Sequence, residues 1–237
     1  MPLTILLVHS AFAGSASWDD VVEPLQAAGH RVIAAANPLR GLRSDAAAVS
    51  DLVRTIAGPV LLVGHCYGGA VISNVDADAG DIVGLVYVAG FAPAPGESCI
   101  TLLGMFPGST LGGALEPVLR GDGATDLYVA RESFHTIFCQ DVPVLKAAVM
   151  GATQRPATQE ALTEPSGERP LWQEVPSWFV IGEEDRIIPP ALQRFMAKRA
   201  GAQRTVAVEG ASHALPVSNP TVTVHAIFDA VELRVAV

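Results

Sequence analysis

The sequence predicts an α/β protein with a mostly parallel sheet flanked by helices, and three observations support this class. Short apolar runs such as residues 3–8 and 60–63 lack polar alternation, as expected for parallel strands buried on both faces. Helix-like stretches separate these runs, so the strands require right-handed crossovers within one sheet. The rhythm stops near residue 93 and resumes after residue 170. This interruption indicates an insertion.

Four strands and three helices are predicted before the insertion. The strands cover residues 3–8, 31–36, 60–63 and 82–89. Ser17 is a predicted N-cap for a helix that ends near Gly29, and Ser44 is one for a helix that reaches Ile56. The third helix follows the third strand over residues 67–79.

The insertion, residues 93–170, has several Gly and Pro interruptions and no strong strand pattern. Two stretches within it, 111–119 and 142–154, favour helices. We therefore expect a helical cap inserted after the fourth predicted strand. The α/β core would then consist of residues 1–92 and 171–237. Its second part is predicted to hold strands at 177–181 and 204–208 and helices at 190–200 and 221–233.

The composition argues against several kinds of partner. A net charge of −9 disfavours a nucleic-acid partner, which would need a basic face. No apolar run reaches the roughly 18 residues that cross a bilayer, so no membrane partner is expected. The three cysteines are widely spaced, which indicates reduced thiols in a cytoplasmic protein rather than disulfides or a metal site. The sequence does not define an oligomeric state.

The strongest motif is Gly-His-Cys-Tyr-Gly-Gly at residues 64–69, directly after an apolar strand pattern and before a helix pattern. This strand–turn–helix layout is typical of a nucleophile elbow, in which a strained turn lifts the central side chain above the sheet. Gly64 and Gly68 flank that turn because the strand and helix backbones approach too closely for side chains. The central residue is Cys66. The motif therefore predicts a nucleophilic thiol.

Other chemically active residues follow predicted strands, where the ligands of a parallel sheet bind. Asp185 lies after strand 177–181 and His213 after strand 204–208, so the chain order is nucleophile, acid, base. Glu183 and Glu184 are alternative acids, although the Asp-Arg-x-x-Pro context favours Asp185. The first strand is followed by His-Ser-Ala-Phe at 9–12.

Together these motifs resemble the α/β-hydrolases of the small esterase type, which are related to plant methylesterases and hydroxynitrile lyases. The resemblance is carried by residues 8–12 with Trp18, by 64–69, by 182–185 with Pro189, and by 212–213. It implies that Cys66 is the nucleophile, His213 the general base and Asp185 the acid that orients the imidazole.

The resemblance also implies an oxyanion hole formed by the backbone amides of Ala11 and Tyr67, and a reaction that needs no cofactor. The expected substrate is a small, largely apolar carboxylic ester, with lactones and thioesters as further candidates. Ser10, Phe12 and His135 are candidate substrate contacts. For His135, a contact within the cap is the alternative.

Two positions depart from the family pattern. The usual nucleophile is Ser, so Cys66 is either a natural nucleophile or a Ser→Cys replacement, and both explanations stay open. Ser10 stands where the esterase branch usually has Gly and the lyase branch has a hydroxyl. The lyase branch also needs Lys after the catalytic His, and this chain has Ala214. A non-catalytic small-molecule receptor and a C–C lyase remain the alternative functions.

Overall fold

A computed structural model describes residues 3–235 of the 237-residue chain. Nine strands occur among these residues, six in a central sheet and three in a small second sheet. They are β1 (Thr4–Val8), β2 (Arg31–Ala35), β3 (Pro59–His65), β4 (Asp81–Val88), β5 (Leu115–Leu119), β6 (Thr125–Val129), β7 (Ala157–Thr158), β8 (Ser177–Gly182) and β9 (Arg204–Val208).

The central sheet has the strand order β2-β1-β3-β4-β8-β9, and every neighbouring pair is parallel. Each of the six strands begins and ends within two residues of its predicted bounds. The α/β class with a parallel sheet is therefore confirmed. Because all six strands run in one direction, their carboxyl ends share one edge, and the predicted active residues follow strands at that edge.

Ten α-helices accompany the strands in the described residues. They are α1 (Asp19–Ala27), α2 (Leu42–Arg54), α3 (Tyr67–Ser73), α4 (Cys99–Leu103), α5 (Arg131–Phe138), α6 (Val144–Ala152), α7 (Gln159–Thr163), α8 (Pro190–Arg199), α9 (Leu215–Ser218) and α10 (Pro220–Val235). One sheet face packs against α2, α3, α8 and the inserted segment. The other face packs against α1 and α10. Alternate residues of each strand enter these two cores, which explains the continuous apolar runs.

The insertion is not purely helical, contrary to the prediction. Strands β5, β6 and β7 form an antiparallel sheet, and β5 occupies most of the stretch 111–119 that was expected to be a helix. Most of the β5 side chains are exposed, so this strand carries no apolar run that marks it in the sequence. The helix expected over 142–154 is present as α6.

Neither Ser17 nor Ser44 caps a helix with its side chain, so both predictions were wrong. The hydroxyl of Ser17 donates to the Gly14 carbonyl inside a 3-10 turn, and α1 begins only at Asp19. Ser44 lies within the first turn of α2 and donates to the Gly41 carbonyl at 3.0 Å. Helix α3 is also shorter than expected, and a separate 3-10 turn covers Ala77–Ala79. No helix in the described chain is long and apolar enough to cross a membrane.

Candidate active site

Cys66 sits in a tight turn between β3 and α3, with φ 54° and ψ −120°. This left-handed backbone is strained for a residue with a side chain and persists because the surrounding structure enforces it. A Cβ atom on Gly68 would overlap the Val8 carbonyl oxygen and lie 2.9 Å from that of His9. The start of α3 therefore packs directly on the end of β1. This contact brings the loop after β1 beside the turn.

His213 and Asp185 form a buried pair on the loops that follow β9 and β8. Asp185 Oδ2 accepts a hydrogen bond from His213 Nδ1 at 2.7 Å, and neither side chain is exposed. The Asp185 carboxylate also accepts the backbone N–H groups of Ile187 and Ile188 at 2.8 and 2.9 Å. Gln193 Nε2 donates to Oδ2 at 2.8 Å. Four donors thus hold this carboxylate in one orientation.

The alternative acids lie elsewhere. Glu183 pairs with Arg194 at the surface. The backbone carbonyl of Glu184 accepts a hydrogen bond from Gln140, and the Glu184 side chain is exposed. Only Asp185 of the three contacts the imidazole in the described structure.

The remaining ring nitrogen of His213, Nε2, is buried and has no hydrogen-bond partner in the described chain, and Cys66 lies near enough to act electrostatically on the ring. Burial by itself lowers the pKa of His213. The charge of Asp185, followed by the electrostatic effect of Cys66 and the hydrogen bond with Asp185, outweighs burial and raises the pKa of His213 above its ordinary value. The Cys66 side chain is almost enclosed, since only 3% of the residue is exposed. The Cys66 thiol, the His213 imidazole and the Asp185 carboxylate are therefore buried side by side, in that order.

The loop after β1 is held by His9. Its ring Nδ1 lies 2.8 Å from the Ser10 carbonyl, and Nε2 accepts the Asn37 backbone N–H at 3.1 Å. The Asn37 side chain donates to the His9 carbonyl at 3.0 Å. The N–H groups of Ala11 and Tyr67 donate no hydrogen bond to the part of the chain that is described. Both amides are therefore free to bind an anionic oxygen.

A cavity of about 330 Å³ opens between the loop after β1 and helices α5 and α6. Phe138, in its wall, packs edge-on against the His213 ring at a centroid distance of 4.9 Å. An ion pair between Lys146 and Asp20, 3.0 Å apart, stands at the rim, where both side chains are half exposed. The apolar lining residues are Phe12, Ala13, Ala16, Phe134, Phe138, Val149, Met150 and Val217.

The three candidate substrate contacts lie in different places. Phe12 lines this cavity. Ser10 is fully buried, does not line it, and donates its hydroxyl hydrogen to the Ala11 carbonyl at 2.5 Å. His135 Nε2 lies 2.9 Å from the Val142 carbonyl, and the residue borders a separate cavity of about 210 Å³. This contact within the insertion is the alternative that the sequence left open, and a role of His135 in binding the substrate stays a prediction.

Several residues of this region have no signal in the sequence. Asn37 and Arg155 contact His9 from positions 28 and 146 residues away, and Asp141 contacts the loop of His213 from 71 residues away. Gln193 contacts Asp185 from eight residues further along the chain. None belongs to a recognisable motif. Their contacts are visible only once the elements that carry them have been placed.

The His9 contacts predict a loss of stability in acid. Burial and the Arg155 charge lower the pKa of His9 to about 4, despite its bond to Ser10. Below about pH 6.5 His9 is protonated in the unfolded chain but stays neutral in the folded protein. The unfolding free energy that is present at pH 7 is therefore lost as pH falls toward 4. We expect His9 to account for about 2 kcal/mol of unfolding free energy between pH 7 and 5.

Urea unfolding at both pH values measures this effect. The variant His9→Gln should lose less stability on acidification than the parent protein. His65, whose pKa is also lowered by burial, accounts for part of the remaining dependence. An identical acid dependence in parent and variant would contradict the assignment to His9.

Comparison with known proteins places the chain in a family. The profile of the Alpha/beta hydrolase family matches residues 5–226. The chain is 29% identical to a pyrethroid hydrolase of Sphingobium wenxiniae over 252 positions, which cover 95% of this chain and 86% of that protein. The solved structure of polyneuridine aldehyde esterase superposes with a TM-score of 0.80 at 18% identity, covering 97% of this chain and 99% of that one.

A methylesterase from Arabidopsis is also similar in fold, with a TM-score of 0.76 at 17% identity over 98% of this chain and 99% of that one. The family profile extends from β1 into α10 and so includes every strand of both sheets except the first residue of β1. The resemblance to small esterases that the motifs indicated is confirmed, and the chain belongs to the α/β hydrolase family.

Proposed function

We propose that this protein hydrolyses small, largely apolar carboxylic esters without a cofactor, through a covalent acyl-enzyme on Cys66. The observation that carries this proposal is the His213 imidazole, held by Asp185 and adjacent to Cys66 in the strained turn. The similarity to a named pyrethroid hydrolase supports ester substrates. Because all three cysteines are free, we place the activity in the reducing cytoplasm.

In the proposed reaction, the Cys66 thiolate attacks the ester carbonyl carbon and forms a tetrahedral intermediate. The N–H groups of Ala11 and Tyr67 stabilise its negatively charged oxygen. The His213 imidazolium gives its proton to the departing alkoxide, which leaves as the alcohol and produces a thioester. His213 then removes a proton from water, and the resulting hydroxide attacks the thioester. Collapse of this second intermediate releases the carboxylic acid and restores the thiolate.

The raised pKa of His213 fits both halves of this cycle. Before acylation, the Asp185 carboxylate and, to a smaller extent, the Cys66 thiolate of the proposed reaction favour the imidazolium, the form that protonates the leaving group. Acylation removes the thiolate charge, so the pKa of His213 falls and the neutral imidazole becomes available as a base. The two protonation states are therefore produced by the reaction itself.

The cavity beside Phe138 supports the choice of an apolar substrate. Its lining is dominated by aromatic, aliphatic and Met side chains, and its charged groups, Asp19, Asp20 and Lys146, include an ion pair at the rim. Burial of an apolar group there contributes roughly 25 cal/mol for each Å² removed from water. We propose that the insertion serves as a cap that encloses this group.

A burst experiment tests the proposal. Mixing the protein with p-nitrophenyl butyrate should release p-nitrophenol in a burst equal to the enzyme concentration, and mass spectrometry should find a butyryl group on Cys66. Cys66→Ala should abolish both, whereas Cys139→Ala, which removes another buried thiol, should preserve them. If parent and Cys66→Ser are both inert on a panel of esters, the proposal fails. Tight ligand binding without turnover would then favour a receptor.

The Cys66→Ser variant carries a second expectation. A serine hydroxyl has no charge at neutral pH, so its substitution removes one cause of the raised pKa of His213. We expect the pKa of His213, followed by NMR of the ring, to fall in Cys66→Ser. An unchanged value would contradict direct contact between the thiolate and the ring. The ratio of turnover rates in the two proteins distinguishes a natural Cys nucleophile from a replaced Ser.

A further inference from the structure

Arg155 lies in the insertion, between α6 and β7, yet its guanidinium reaches the core of the protein. Nη1 is 3.2 Å from Nε2 of His9, at the start of the loop that follows β1. The side chain is half buried and forms no ion pair with any described residue. Its aliphatic stem runs past Gly14, where a Cβ atom would lie 3.6 Å from Arg155 Cδ. A partly buried cation is thus directed at a histidine.

This contact defines the hydrogen-bonding state of His9. Arg155 Nη1 and the Asn37 backbone N–H are both donors, and both approach Nε2, which must therefore accept. The ring proton is consequently on Nδ1, which donates to the Ser10 carbonyl at 2.8 Å. A protonated ring would place an N–H against both donors and a positive charge beside the guanidinium. Arg155 and the Asn37 N–H thereby favour one tautomer of His9, and the Arg155 charge adds to burial in favouring the neutral ring.

The bond from His9 determines the direction of the next peptide. The described chain contains no cis peptide bond, so the Ser10 carbonyl and the Ala11 N–H point in opposite directions. With the Ser10 oxygen held on the His9 side, the Ala11 N–H is directed away from His9. The contact of Gly68 with the Val8 and His9 carbonyls places the turn that carries Cys66 against this same loop.

We propose that Arg155 is a positioning residue, which acts through His9 to hold the Ser10–Ala11 peptide with its N–H ready for the developing oxyanion. This inference rests on the proposed esterase function for its catalytic consequence. Because Arg155 belongs to the insertion and His9 to the loop after β1, the contact also links the position of the insertion to the geometry of the proposed oxyanion hole. An interaction that matters when charge develops should affect kcat more than KM.

Two variants test the inference. Arg155→Met keeps the length of the side chain but removes its donors and charge, and Arg155→Lys keeps one charged donor. The matched control is Arg131→Met, an exposed arginine of the same insertion. With p-nitrophenyl butyrate, we expect Arg155→Met to lower kcat about tenfold with KM within twofold. Its affinity for a trifluoromethyl ketone, which forms a tetrahedral adduct with a charged oxygen, should fall in parallel. Arg155→Lys should recover part of both losses.

A readout that needs no turnover separates this inference from the proposed function. Ring NMR of His9 should show Nδ1 protonated, and the pKa of His9 should rise in Arg155→Met because a nearby positive charge is removed. The groups that face His9 are Arg155 from the insertion, Asn37 after β2 and His65 from β3, so Arg131→Met should leave this pKa unchanged.

An unchanged His9 pKa in Arg155→Met would overturn the contact itself. A shifted pKa with unchanged kcat and ketone affinity would overturn the positioning role. If the parent protein lacked esterase activity, the ketone would still report the oxyanion hole through its adduct with Cys66, and equal affinity in both proteins would again overturn the inference.

Discussion

His213→Gln is expected to lower kcat/KM for an activated ester by at least about 10³-fold, because the proposed reaction uses His213, which acts electrostatically on Cys66, for every proton transfer. Glutamine can still accept or donate a hydrogen bond near Asp185, but it transfers no proton at neutral pH. Both the protonation of the leaving alkoxide and the activation of water then lose their catalyst. Steady-state kinetics with p-nitrophenyl butyrate measure the loss.

The control for this substitution is His225→Gln, which changes an exposed histidine on α10. Its kinetics should match those of the parent within twofold. Thermal unfolding of His213→Gln must also be measured, since the change leaves Asp185 without its charged partner. A folded His213→Gln protein that retains a tenth of the parental kcat/KM would exclude His213 as the general base.

Gly68→Ala should have the second large effect, on folding rather than on chemistry. The added methyl group would overlap the Val8 carbonyl oxygen and crowd that of His9. These atoms belong to a buried central strand and its adjoining loop, so backbone has to shift. We expect the unfolding free energy to fall by at least about 3 kcal/mol. For a chain of this size, the melting temperature would decrease by roughly 10 °C.

Gly112→Ala is the matched control, because a Cβ at Gly112 meets nothing within 4 Å. That residue lies in an exposed 3-10 turn of the insertion. Differential scanning calorimetry of both variants should show a large decrease only for Gly68→Ala. Equal stability in the two variants would mean that β1 and α3 are further apart than the structure has them.

The central sheet could be predicted because burial on both faces leaves a clear pattern. At residues 5–8 of β1 and 60–63 of β3, alternate residues enter two different apolar cores, so each of these positions is apolar and the run stands out. The small antiparallel sheet could not be predicted in this way. Its strand β5 exposes most of its side chains, and β7, at the opposite edge of this sheet, is only two residues long.

The residues of the candidate site also divide into those that leave a pattern in the sequence and those that do not. Cys66, Asp185 and His213 are identifiable because each follows a predicted strand and lies in a short motif. Arg155 and Gln193 are not, since their contacts to His9 and Asp185 depend on where the insertion and α8 pack. The two misassigned caps, Ser17 and Ser44, show a related limit. A serine near a helix start forms local hydrogen bonds in several ways, and sequence position alone does not choose among them.

The ion pair of Lys146 and Asp20 spans the rim of the cavity and joins the insertion to the core. Because both partners are half exposed, their attraction is weak and is screened by dissolved ions. The Asp185–His213 pair lies beneath the surface and is screened far less. A higher salt concentration should therefore weaken the ion pair at the rim of the cavity. The buried Asp185–His213 pair should change little under the same conditions.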